Sequence, residues 1–165
     1  MKKMIMGMLV ASTCLMAQSS YSNALEMLDK GKPEMASATF LQLAKSGDVD
    51  AQTMLGEMYL DGIGVKVDHQ KAFFWLAKAA NKGDSEACYL LGFMYENGLQ
   101  VGQSLSRAVS WYKKAALKGD TMAQFNLAMI YKEGKGGIQK NMKEALKWLQ
   151  LVEKEHENIT HVATK

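Results

Sequence analysis

Ser110-Trp111-Tyr112-Lys113 is the stretch of this chain best placed to do covalent chemistry. A serine three residues ahead of a lysine sets an amine where it can take the hydroxyl proton during acyl transfer to penicillin-like substrates. Tyr21-Ser22-Asn23 and Lys45-Ser46-Gly47 could serve as the second and third elements of such a site. The same letters have a plainer origin. Lys45-Ser46-Gly47 ends a segment whose counterparts end Asn81-Lys82-Gly83 and Leu117-Lys118-Gly119, and the positions equivalent to Ser110 hold Phe74 and Lys147. A penicillin-binding or β-lactamase-like cell-wall hydrolase using Ser110 and Lys113 is therefore the alternative reading, and a chain without an active site is the principal one.

Metal and phosphate chemistry lack their ligands. His69, His156 and His161 are scattered, and neither His-Glu-x-x-His nor paired cysteines occur. Gly134, Gly136 and Gly137 follow a helix, whereas a phosphate loop follows a strand. No metal or cofactor is expected. Asn158-Ile159-Thr160 is a sequon that matters only in a glycosylating compartment.

A content of 48% apolar and 22% charged residues is that of a globular chain, and a single proline leaves room for long helices. Thirteen methionines suit an adaptable core or an adaptable binding face. Lys2 and Lys3 precede an apolar run from Met4 to Ala17, which is 14 residues long and ends in small polar residues. A bilayer core of about 30 Å needs about 20 residues, so the run reads as a secretory signal peptide over residues 1–19, cut after Ala17 or Ser19. The expected location is secreted or periplasmic. Cys14 follows Thr13, with Ala11 three residues before it, a poor lipidation signal.

Without Lys2 and Lys3 the 20 basic and 17 acidic side chains become 18 and 17, and Arg107 is the only arginine. Neither the charge nor the bidentate donors needed for nucleic acid are present. Cys88 would be the sole remaining cysteine, which excludes an intramolecular disulfide and leaves a buried thiol or an intermolecular bridge. A monomer is expected.

The organisation is a repeat. At a spacing of 36 residues the chain aligns Gly47, Gly83 and Gly119; Asp48, Asp84 and Asp120; Leu55, Leu91 and Leu127; Tyr59, Tyr95 and Tyr131; and Gly62, Gly98 and Gly134. Ala72 and Trp75 match Ala108 and Trp111, then Ala145 and Trp148 once one residue is inserted near Gly136. A fixed period of this kind marks a stacked array. Each unit reads as two helices. Gly-Asp stops one helix and caps the next, helix A runs from about Val49 to Asp61, and Asp68 caps helix B with its stripe of Ala72, Trp75, Leu76 and Ala79. The tyrosine and tryptophan should fill the space between units. A partial unit covers 22–47, full units cover 48–83, 84–119 and 120–155, and residues 158–165 form a polar tail.

These motifs, A-x-x-x-L-G-x-M-Y-x-x-G-x-G-V and D-x-x-K-A-x-x-W-x-x-K-A-A-x-x-G over residues 51–83, resemble the Sel-one-like repeat family, relatives of tetratricopeptide repeats. The resemblance implies an all-α, right-handed α-solenoid of stacked antiparallel helix pairs whose A helices line a concave face. It implies a protein-binding adaptor, in secreted or periplasmic members often one of envelope regulation or host contact. The chain departs from the pattern at Gln100, which stands where Gly64 does, and at Ala128, which stands where Gly56 and Gly92 do.

By analogy with tetratricopeptide helices, the groove positions include Asp50, Thr53, Glu57 and Leu60; Glu86, Tyr89, Phe93 and Glu96; and Met122, Phe125, Met129 and Lys132. The expected partner-binding residues are the apolar anchors Tyr89, Phe93, Phe125 and Met129, with Asp50, Glu57, Glu86 and Lys132 orienting a protein or peptide by charge. Tyr89 and Phe125 could equally pack between helices.

Overall fold

The computed structural model describes residues 20–163, with side chains through residue 154. Among the described residues the secondary structure is helical throughout. Helix α1 covers residues 20–29, followed by α2 (Pro33–Ser46), α3 (Val49–Asp61), α4 (His69–Asn81), α5 (Ser85–Asn97), α6 (Leu105–Ala116), α7 (Thr121–Glu133) and α8 (Met142–Ala163). The proposed leader, residues 1–19, lies outside the described residues, as do the side chains of His156 and His161. The chain divides after Ala79 into two compact units.

The helix boundaries follow from local chemistry. Asp48, Asp84 and Asp120 each accept from the backbone N–H three residues on, at Ala51, Ala87 and Ala123, over 2.9, 2.7 and 2.7 Å. Such caps satisfy amides that the first turn leaves without partners, each worth about 1 kcal/mol. The same A helices end at Gly62, Gly98 and Gly134, with φ of 75, 69 and 73°, a left-handed backbone that glycine adopts without steric cost.

The connection to helix B is also repeated. The carbonyls of Tyr59, Tyr95 and Tyr131 accept from the backbone N–H groups of Asp68, Ser104 and Asn141, at 2.9, 2.9 and 2.8 Å. Each donor residue then caps helix B with its own side chain. This bond holds the start of helix B beside the end of helix A, so the pair runs antiparallel. The additional residue of the third unit is absorbed between Tyr131 and Asn141 without loss of the bond.

In the first unit, Ala24, Ala36, Phe40, Ala44, Ala51, Leu55, Met58 and Trp75 form a buried cluster, with Tyr21, Met54 and Tyr59 packed against it. In the second, Leu91 and Met94 of α5, Tyr112 and Ala115 of α6, and Ala123 and Leu127 of α7 are excluded from solvent. Burying a side chain of leucine or methionine size contributes about 1.5–3 kcal/mol, which makes these positions the main source of cohesion.

The tryptophans do not behave alike. Trp75 and Trp148 are buried, as the repeat requires, but Trp111 is half-buried with the Lys114 ammonium 3.7 Å above its ring. The next position, the interior one held by Leu76 in α4, is Tyr112 in α6 and is likewise 0% exposed. Glycine at position 92 makes this possible. A methyl group there would lie 2.5 Å from Cδ1 and 2.6 Å from Cε1 of Tyr112, well inside van der Waals contact. Gly56 plays the same part beneath Leu76.

Gln100 keeps the shape of the loop it enters. Its φ of 64° nearly equals the 65° of Gly64, so the second connection retains the left-handed turn with a residue that bears a side chain. Gly64 itself has a further constraint, because a Cβ there would collide with the backbone of Pro33 and Glu34.

Candidate partner-binding face

The second unit carries most of the proposed contact residues. Along α5, Glu86, Tyr89, Phe93 and Glu96 recur at intervals of three, four and three residues, and along α7 Met122, Phe125, Met129 and Lys132 do the same. That spacing puts each set on one helix face, with about 15 Å between its first and last members at 1.5 Å per residue. The opposite sides of these helices are interior: Ala87, Leu91 and Met94 in α5, and Ala123, Leu127 and Ile130 in α7.

Exposure along the two stripes is uneven in an informative way. Phe93 is 39% exposed, Phe125 47% and Met122 56%, large apolar side chains that folding leaves in water. Glu86 and Lys132 are exposed, and Met129 is half-buried. Tyr89 is also half-buried, because its ring packs 5.8 Å from that of Tyr112 at a tilt of 34°. Burial, and then the Asp120 carboxylate, push the Tyr89 hydroxyl above its ordinary range. Tyr89 is therefore in part a packing residue.

Glu96 and Tyr112 form the most constrained polar contact of this face. The Tyr112 hydroxyl donates to Oε2 of Glu96 at 2.7 Å. Burial and the neighbouring Glu96 raise the phenol, so it stays protonated and remains a donor. The Asn126 side chain of α7 partly offsets the rise at both the Tyr89 and Tyr112 hydroxyls. Beside Glu96 is a cavity of about 560 Å³ lined by Gln103, Ser104, Leu105, Ser106, Lys135 and Gly136. Lys135 is engaged in an ion pair with Glu133 at 2.5 Å.

In the first unit Asp50 is exposed on α3. Glu57 is half-buried, and its carboxyl is raised first by that burial and then by Asp61 one turn further on. Thr53, expected in the groove, is instead 3% exposed, and its hydroxyl donates to the Val49 carbonyl at 3.3 Å. A short polar side chain can be buried there because its own helix supplies the acceptor.

The residues of the acyl-transfer alternative are otherwise occupied. The Ser110 hydroxyl is exposed and donates to the Ser106 carbonyl at 3.0 Å, while the Lys113 ammonium sits 5.6 Å from the centre of the Tyr131 ring. Ser46 donates to the Leu43 carbonyl at 2.8 Å, and Tyr21 packs edge-on against Phe40 at 5.3 Å. Each has a local structural role. No group of three or more metal-binding side chains occurs among the described residues.

Sequence reasoning did not identify Tyr112 or Asn126. The signal for Tyr112 lay in its alignment with Leu76, an interior position of the B-helix stripe, once Gly92 is seen as the hollow that admits a larger ring.

Comparison with known proteins places this geometry in context. The Sel1 repeat pattern matches residues 49–84, 85–120 and 121–151. A protective antigen of uropathogenic Escherichia coli with an SLR fold superimposes with a TM-score of 0.78 and 28% identity, over 84% of this chain and 31% of its own. A Sel1 repeat protein from Oxalobacter formigenes gives 0.73 and 31% identity, over 82% of this chain and 53% of its own. The chain thus spans about a third to a half of the length of these relatives. No curated protein sequence matches it.

Proposed function

We propose that this chain, which belongs to the Sel1 repeat family, is an exported scaffold whose A-helix face binds another protein. Sel1 repeats in general are non-catalytic scaffolds for protein interaction, and an all-α array of helix pairs is the fold seen here. The observation that carries the reading is the exposure of Phe93 on α5 and of Phe125, one turn from Met129, on α7, helices whose other sides are packed. Exposed apolar side chains grouped on one face and edged by charge are the usual material of a peptide-binding groove. The basic and apolar leader supports export, with envelope regulation or host contact as the setting. Among the described residues no helix is long and apolar enough to cross a membrane.

Alanine at both Phe93 and Met129 is expected to abolish capture of the partner from an envelope fraction while the helical signal and melting temperature stay near wild type. Unchanged capture refutes the groove, and a collapsed fold would reassign both residues to the core. A fluorescent penicillin should not label the purified protein; one label, lost on Ser110→Ala, would establish the hydrolase instead.

A further inference from the structure

Resting on that groove reading, we infer that the second unit accepts a basic amphipathic helix, its cations seated on Glu86 and Glu96 and its apolar side chains on Phe93, Phe125 and Met129.

The charge on α5 has one sign. Glu86 and Glu96 are its only ionisable acids or bases besides Tyr89 and Tyr95 and the buried Cys88, and they bracket the apolar centre of the face. Their backbone positions are ten residues apart, or about 15 Å along the helix axis. A partner helix lying along α5 meets both if its own basic residues are about ten positions apart with apolar residues between them. An extended segment at about 3.3 Å per residue would need a spacing of about five.

Glu96 is prepared for this role. A flexible surface glutamate loses rotamer freedom when it pairs, which consumes much of the gain of an exposed ion pair. Here the Tyr112 hydroxyl, on a fully buried ring, already fixes Oε2 of the carboxylate at 2.7 Å, so less of that freedom is left to lose on pairing. The adjoining cavity of about 560 Å³ has room for the long stem of a lysine or arginine. Lys135 lines the same cavity and is paired with Glu133, yet its charge also reaches Glu96, so an incoming cation competes with it there; Arg107 stands 5.6 Å over the Tyr95 ring, and Lys132 stands on α7, where it selects an acidic residue on the far edge of the partner.

Three labelled helix-forming peptides test the inference. One carries two lysines about ten positions apart around leucine and phenylalanine, the second has glutamates at those lysines, and the third has its lysines about five apart. Fluorescence anisotropy should show the first binding at least about tenfold tighter than the second and third at low salt, a preference that fades at high salt. Glu96→Gln and Glu86→Gln should each weaken the first peptide about threefold to fivefold and, by removing a like charge, strengthen the second slightly. Tyr112→Phe keeps the ring over Gly92 and should weaken only the lysine peptides, an effect that a purely structural role would not produce.

Equal binding of all three peptides, sensitive to Phe93→Ala and Met129→Ala but not to Glu96→Gln, overturns the cationic partner and leaves the groove standing. Tighter binding of the third peptide overturns the helical occupant. Lysine-peptide binding that is unchanged in the Phe93 and Met129 variants overturns the groove itself. Failure of the first peptide to bind at about 1 mM overturns the inference.

Discussion

Gly92→Ala tests the least expected packing feature of the fold. The new methyl would lie 2.5, 2.6 and 3.1 Å from three carbons of the Tyr112 ring, about 1 Å inside a normal carbon–carbon contact. The ring cannot easily yield, since it is fully buried, packed against Tyr89 and bonded to Glu96. Overpacking at a site of this kind costs about 3 kcal/mol, the upper part of the usual range. Alanine returns about 1 kcal/mol through its higher helix propensity, for a net loss of about 2 kcal/mol. At about 2–4 °C per kcal/mol for a chain of this size, the melting temperature should fall by about 4–8 °C. Gly102→Ala is the control, because a methyl there meets nothing within 4 Å and the backbone is not left-handed; it should stay within about 0.5 kcal/mol of wild type. Urea and thermal unfolding followed by circular dichroism measure both. A Gly92→Ala protein as stable as wild type would show that Tyr112 does not lie over residue 92, and the account of Glu96 would fail with it.

Two further substitutions probe the backbone and the first unit. Gln100→Gly relieves a left-handed residue with φ of 64° and should stabilise by about 0.5–1 kcal/mol once glycine's greater unfolded freedom is deducted, checked by urea denaturation. Glu57→Gln removes a carboxylate raised by burial and by Asp61. Relief of like charges one turn apart should stabilise the protein at pH 7 by about 0.2–0.5 kcal/mol. The raised carboxyl binds its proton more tightly in the folded state, so wild-type stability is complete below the unfolded pKa near 4.5 and declines as pH rises through the folded value. The advantage of Glu57→Gln should therefore appear above pH 4.5 and vanish below it in a pH series of melts; the opposite trend would refute the environment assigned to Glu57.

The helices were legible because their punctuation is local. Asp48, Asp84 and Asp120 cap where Gly-Asp pairs stand, and Val49–Asp61 is the helix the spacing implies. Exposure was harder to read, since it depends on what another helix presents. Thr53 shares its helical stripe with Glu57 and is nonetheless buried, because its hydroxyl finds a carbonyl within α3 and a glutamate at that depth would find none. The half-exposure of Trp111 was illegible for a related reason. Its counterparts Trp75 and Trp148 are buried, whereas Tyr112 stands at the interior position of Leu76, its larger ring admitted by the bare Gly92 of a different helix. Gln100 conceals its conformation altogether, since nothing in its chemistry announces a positive φ.

Two of the loops that close a helix pair also touch an earlier B helix, Gly64 against the start of α2 and Gly136 against Leu105 of α6. Both halves of that joint, the bare turn and the helix start it meets, are written within the span that recurs every 36 residues. Copying one span therefore copies a working hinge plate along with its socket. Arrays of this design can gain or shed members without inventing a new junction, a property in keeping with longer relatives of which the matched part is 31% and 53%.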